Sequence, residues 1–211
     1  MNKLKAIYLP FLMLLFSSCC LPSSIHPLSP PGEGNYDKQL EGTWYHIEEN
    51  GSVGYLHIGK AKENFTKAIL TQIEQSGSLG FSVLIMFPSV IGENIFLNIK
   101  VKQVDEEISS EDSGYFLAKY EVKGNDILSV SMMGMDGFPK GIQAGKVKGE
   151  ITYREPVFRE GSEKKPKKQE RKVIDCLQIT DESENIVKFI KNSNTSELFT
   201  TEVKLKRLKV D

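Results

Sequence analysis

The sequence predicts a mostly β chain: an antiparallel barrel or meander of about nine strands, with two short helices in its C-terminal half. Three observations carry this. Apolar residues recur at a period of two in Ile95, Leu97, Ile99 and Val101, and again in Phe116, Ala118, Tyr120 and Val122. Turn signals, Asn50-Gly51 and Gly124-Asn125-Asp126, separate short runs of this kind. A helical period emerges only late, around residues 139–144 and 182–191.

The first segment is not part of that fold. Lys3 and Lys5 precede an apolar run over residues 6–16, and Ser17 and Ser18 follow before Cys19. A positive end, a short apolar centre and small residues describe an export signal. The apolar run is shorter than the roughly 20 residues that a membrane span needs. Its end at Cys19 resembles the lipobox of bacterial lipoproteins, with Phe16 at the position where Leu is commoner. That resemblance implies cleavage after Ser18, acyl chains on Cys19 and attachment to a membrane. Cys20 in place of Asp implies the outer membrane. An ordinary secretory signal cut near Ser18 is the alternative. Several acyl chains anchor stably where one does not, at about 0.8 kcal/mol per buried CH2.

Residues 19–36 read as a tether. Pro22, Pro27, Pro30 and Pro31 among Ser and Gly oppose helix and central strand alike and suggest a semi-rigid spacer. A single β-rich domain then occupies residues 37–211. The first hairpin joins Gly42-Thr43-Trp44-Tyr45 to a strand starting near Val53. A two-residue Asn50-Gly51 turn would set Trp44 against His57 and His46 against Tyr55. Strands follow over residues 65–73 and 79–87, where Leu79, Phe81, Val83, Ile85 and Phe87 share one face and Leu84 and Met86 the other, so that both faces look covered. In the next strand Asn98, Lys100 and Lys102 face away from Ile95, Leu97, Ile99 and Val101, the pattern of a half-buried strand. Strands over residues 116–122 and 127–132 complete the main run. A short helix near 139–144, stopped by Gly145, precedes strands over 147–157 and 173–179. Asp181 and Glu184 suggest a capping box for a helix carrying Ile186, Val187, Phe189 and Ile190, and Val203 and Leu205 mark a last strand.

Gly42-Thr43-Trp44 at the entry to the first strand resembles the lipocalin Gly-x-Trp motif. The resemblance implies a lipocalin-like barrel whose bottom is closed by Trp44 beneath a late basic residue, here Arg207, although the helix and final strand order differs from the usual one. It also implies a small apolar ligand in the cup. The two alternating sets, Ile95, Leu97, Ile99, Val101 and Phe116, Ala118, Tyr120, Val122, are the candidate lining. The later part of the chain also resembles uncharacterised bacterial envelope lipoproteins, a resemblance that carries a shape and no activity.

Composition narrows the function classes. Removing residues 1–18 from 211 leaves 193, enough for one domain with its own core, and changes the formal charge from −1 to −3 through loss of Lys3 and Lys5. Near-neutrality argues against a nucleic-acid binder. With Cys19 acylated and Cys20 near the membrane, Cys176 is expected as a small core residue and no structural disulfide is expected. Nothing in the motifs calls for a cofactor or a metal. His46 and His57 with Glu48 are the nearest approach to a metal site, and exposed strand histidines are the commoner meaning. The acids Glu106, Glu107, Glu111 and Asp112 fit no EF-hand order. No nucleophile elbow, His-Glu-x-x-His or phosphate loop occurs. The basic stretch with Lys164, Lys165, Lys167, Lys168, Arg171 and Lys172 is either a solvated hairpin tip or a contact for anionic headgroups. The function expected is a lipid-anchored envelope module holding a small apolar ligand. The alternative is a structural or interaction protein with a filled core; an enzyme comes last.

Overall fold

The computed structural model describes residues 21–31, 36–48, 51–61, 65–73, 79–102, 114–124, 126–154 and 173–209. Cys19 and Cys20, the acidic stretch 106–112 and the basic stretch 159–172 lie outside these residues. In chain order the elements are β1 (Ser23–Ser24), a 3-10 turn (Lys38–Leu40), β2 (Gly42–Ile47), β3 (Val53–Lys60), β4 (Thr66–Ile73), β5 (Leu79–Ile91), β6 (Asn94–Lys102), β7 (Phe116–Lys123), β8 (Ile127–Met133), α1 (Gly137–Gln143), β9 (Gly149–Arg154), β10 (Val173–Ile179), α2 (Ser183–Lys191), α3 (Thr195–Leu198) and β11 (Phe199–Arg207).

Eight strands close into an antiparallel barrel in the order β11-β2-β3-β4-β5-β6-β7-β8. Closure removes the exposed edges that a flat meander would leave. Every strand supplies inward residues to one apolar core that includes Trp44, Ile58, Leu70, Leu84, Leu97, Tyr120, Val130 and Leu205. The period of two in the sequence is therefore the alternation of inner and outer wall. β8 and β11 are neighbours in space, with Leu128 opposite Leu205 and Val130 opposite Val203. The described residues between them, 134–154 and 173–198, lie off the barrel wall.

That excursion builds a second core against the outside of the barrel. β1, β10 and β9 form a three-stranded sheet. Leu177, Ile179, Phe138, Ile186, Phe189 and Ile190 pack with Phe96, Leu117, Met133 and Phe199 from the barrel's outer face. The Phe96 and Phe199 rings lie 5.1 Å apart and those of Phe138 and Phe189 5.6 Å apart. α1 places Phe138 and Pro139 in its buried first turn, where proline is tolerated. Gly145 follows α1 at φ +67, a conformation that suits glycine in a helix stop.

This second layer corrects three expectations. β6 is not half-buried: Phe96 and Asn98 on its outer face are both at 0% exposure. Asn98 reads as a solvent-facing polar residue but is a bracket. Its Oδ1 accepts from the Leu28 N–H at 2.7 Å, and its Nδ2 donates to Ser89 Oγ at 2.8 Å and Phe87 O at 3.2 Å. The Pro-rich segment, expected to stand off as a spacer, lies against the domain over its described residues 21–31. β1 runs parallel to β10, Ser24 exchanges backbone hydrogen bonds with Tyr115, and Leu28 is 4% exposed. Prolines forbid a central strand, yet a two-residue strand at the edge of a small sheet needs few N–H groups. Cys176 is disulfide-bonded and not a free core thiol. The sequence holds only Cys19 and Cys20 as further cysteines.

Two local details also differ. The β2–β3 hairpin is one residue out of the expected register: Trp44 faces Leu56, Tyr45 faces Tyr55 and His46 faces Gly54. The Gly51 N–H donates to Glu48 O and the Glu48 N–H to Ser52 O, each at 2.9 Å, and Gly51 has φ +86. Glu48 and Ser52 thus close a three-residue loop ending in a left-handed glycine, one residue longer than a two-residue turn, and the pairing shifts with it. At α2 the N-cap is Glu182, without a side-chain cap, and Asp181 lies one residue earlier. Asp181 Oδ1 instead accepts from the Glu182 N–H and from Asn185 Nδ2, while Oδ2 accepts from the Lys148 N–H. It ties the start of α2 to the approach to β9.

Candidate functional site

One end of the barrel is closed by a clasp built from the chain's first and last barrel strands. Trp44 is fully buried, and its Nε1 donates to Leu40 O at 2.7 Å. The Arg207 guanidinium lies over the indole, 4.0 Å from the ring centre. Its two terminal nitrogens donate to Glu41 O and Gln39 O, so one planar fork holds the 3-10 turn on the barrel floor. Gly42 completes the arrangement. Its φ of +126 disfavours any side chain, and a Cβ there would stand 2.8 Å from Arg207 Nη1. Gly42, Trp44 and Arg207 thus meet as one unit: the glycine makes room for the arginine that covers the tryptophan.

Tyr120 belongs to this floor and not to a ligand cup. Its hydroxyl donates to Asp37 Oδ2 at 2.9 Å, while Asp37 Oδ1 accepts from the Gln39 N–H. Burial, followed by the negative charge and hydrogen bond of Asp37, raises the phenol far above its ordinary pKa, so it stays a donor. Sequence reasoning missed Asp37, which no local pattern distinguishes from an ordinary loop acid, and Leu40, which plugs the barrel from below.

Above the floor lies an apolar cavity of about 60 Å³. Four of the eight expected lining residues, Leu97, Ile99, Val101 and Phe116, line it. Ile95, Ala118, Tyr120 and Val122 belong to the same packed interior but not to the cavity wall. The wall is completed by residues from the other strands, among them Leu56, Leu70, Met86, Val130, Met132 and Leu205. The alternation of Leu128, Val130 and Met132 in β8 was the available signal for part of this set. The lining includes no charged or polar side chain. What it can do chemically is exclude water and make dispersion contacts.

The histidines are separated by the hairpin register. His46 shares the inward parity of Trp44, and its Nδ1 is 3.1 Å from Lys204 O. His57 pairs across from Thr43 on the opposite face, with Nδ1 3.1 Å from Thr43 Oγ1. They cannot share a metal. Among the described residues no three His, Cys, Asp or Glu side chains are grouped to hold one, and no helix is long and apolar enough to cross a membrane. Cys19 and the basic stretch from Lys164 to Lys172 fall outside the described residues. No protein family, no curated protein and no solved structure matches the chain.

Proposed function

We propose that the protein is a lipid-anchored envelope module, lipocalin-like in plan, whose barrel takes up one slender apolar chain. The observation that carries this reading is the wholly apolar cavity, reached by side chains of seven barrel strands and stoppered by Leu40. Its size defines the ligand class. Sites for drug-sized molecules run to about 300–1,000 Å³, and a cavity of 60 Å³ admits no ring system or headgroup. A linear aliphatic segment is the shape that fits, with Met86 and Met132 giving way, since methionine adapts to irregular space. The anchor part of the reading rests on Lys3, Lys5, the apolar run and Cys19 in the sequence.

The same volume favours a second reading, a packed barrel that serves as a structural or interaction module and binds nothing inside. Mass spectrometry of the protein purified from its native membrane separates the two. Under the first, a lipid or fatty acid co-purifies at near one per chain, and Leu97→Phe, which fills the cavity, abolishes it. Absence of any co-purified apolar molecule from the wild type leaves the packed module.

A further inference from the structure

We infer that the outer face of β2–β5 is a docking surface for an anionic lipid bilayer. The strand register places outward side chains in rows across four strands. One row is Ile47, Val53, Ile73 and Leu79; the next is Tyr45, Tyr55, Thr71 and Phe81; the third is Thr43, His57, Ile69 and Val83. Leu79 is 66% exposed, Ile47 59% and Phe81 51%, with Ile73 and Ile69 above 40%. Half of the large hydrophobic residues exposed in the described fold fall in this one area. Contiguous apolar surface of that kind marks an interaction site.

Charge decides what covers it. These three rows contain no carboxylate, and lysines stand around them. Lys206 pairs beside Tyr45, Lys102 beside Val83, and Lys67 continues the outward face of β4 past Ile69. Below the third row the face hollows into a shallow groove of about 550 Å³, lined by Thr43, His57, Lys60, Lys67 and Ile69, with Glu41 at its side. Tyrosines beside apolar residues and lysines at the margin match the layering of a bilayer surface, where aromatic rings sit at headgroup depth and basic residues face phosphates. Each lysine near an anionic surface contributes up to about 1 kcal/mol. A second copy of the chain is a poorer occupant, because a two-fold contact would bring one lysine margin onto the other. The face lies on the surface of the bilayer and does not span it, since the opposite wall of the barrel is buried under the second core. The inference does not depend on a ligand inside the barrel or on acylation.

Photo-crosslinking of the full chain in vesicles tests it. Photoactivatable phosphatidylglycerol in phosphatidylcholine vesicles should label peptides of β2–β5, and photoactivatable phosphatidylcholine in vesicles without anionic lipid should label them weakly. High salt and Lys67→Glu with Lys102→Glu should each reduce that labelling, the double variant by about tenfold. Leu79→Ser with Phe81→Ser, at exposed positions that leave the core intact, should do the same with unchanged circular dichroism. Equal labelling in both vesicle types, labelling confined to other surfaces, or crosslinks joining β2–β5 of two copies would overturn the assignment.

Discussion

Trp44 shows how much a single side chain can organise. Truncation to Trp44→Ala removes a fully buried indole and should cost about 3–5 kcal/mol in denaturant unfolding. Arg207→Lys is the more informative change. An ammonium keeps the charge but cannot serve two carbonyls and cover the ring at once, so the loss should approach that of Arg207→Ala. A lysine variant as stable as wild type would reduce Arg207 to a charge. Gly42-Thr43-Trp44 made the tryptophan legible in the sequence, while the pairing with a residue 163 positions later needed the barrel to close. Asn98 was not legible. Period two assigns it to solvent, and only the segment carrying Leu28, folded over it, buries it on that outer face. Asn98→Ala leaves the Leu28 N–H without its partner and should cost about 1–3 kcal/mol in the same measurement. Cys19→Ser addresses the other residue read from sequence: palmitate labelling should vanish, and labelling at the wild-type level would remove the anchor from the proposal.

Among the elements, α2 carries a pH dependence. Asp181 is 5% exposed, and burial alone would raise its pKa. The Lys148 N–H, Asn185 side chain and Glu182 N–H outweigh that burial and hold the carboxyl below its ordinary value. A depressed carboxyl stabilises the fold above the unfolded pKa of about 3.9, and the contribution is lost as pH falls through the folded value. The stability difference between wild type and Asp181→Asn should therefore be full at neutral pH and shrink in acid. A difference that stays constant with pH would mean that the charge contributes nothing. Helix position here was legible from the stripe of Ile186, Phe189 and Ile190. The cap was not, because its acceptor reaches across to Lys148, 33 residues away. The β2–β3 register failed for the opposite reason, a purely local one: Asn50-Gly51 serves a two-residue and a three-residue loop equally well, because Gly51 takes a positive φ in both. In β5, Leu79 and Phe81 looked covered because they are apolar, yet they lie open on the outer wall.

For the whole molecule, alternation was enough to reveal strands with an inner and an outer face, and it left a barrel and a meander open until closure of β11 on β2 and β8 decided between them. The second core was beyond that logic. Its barrel contribution, Phe96, Leu117, Met133 and Phe199, lies on outer faces and acquires meaning only when α1, β10 and α2 pack against it. The docked N-terminal segment bears on how far the domain can stray from a membrane. Ser24 is held between β10 and Tyr115. An extended chain covers at most about 3.6 Å per residue, so an acylated Cys19 would leave a reach of only about 18 Å to Ser24, where an open spacer to residue 36 would have given about 60 Å. Such a mooring restricts rotation as well as distance. With Cys19 acylated, only Cys20 is left to pair with Cys176, so a few Gly-Ser residues would lengthen this mooring, without touching the fold, only if inserted between Cys19 and Cys20.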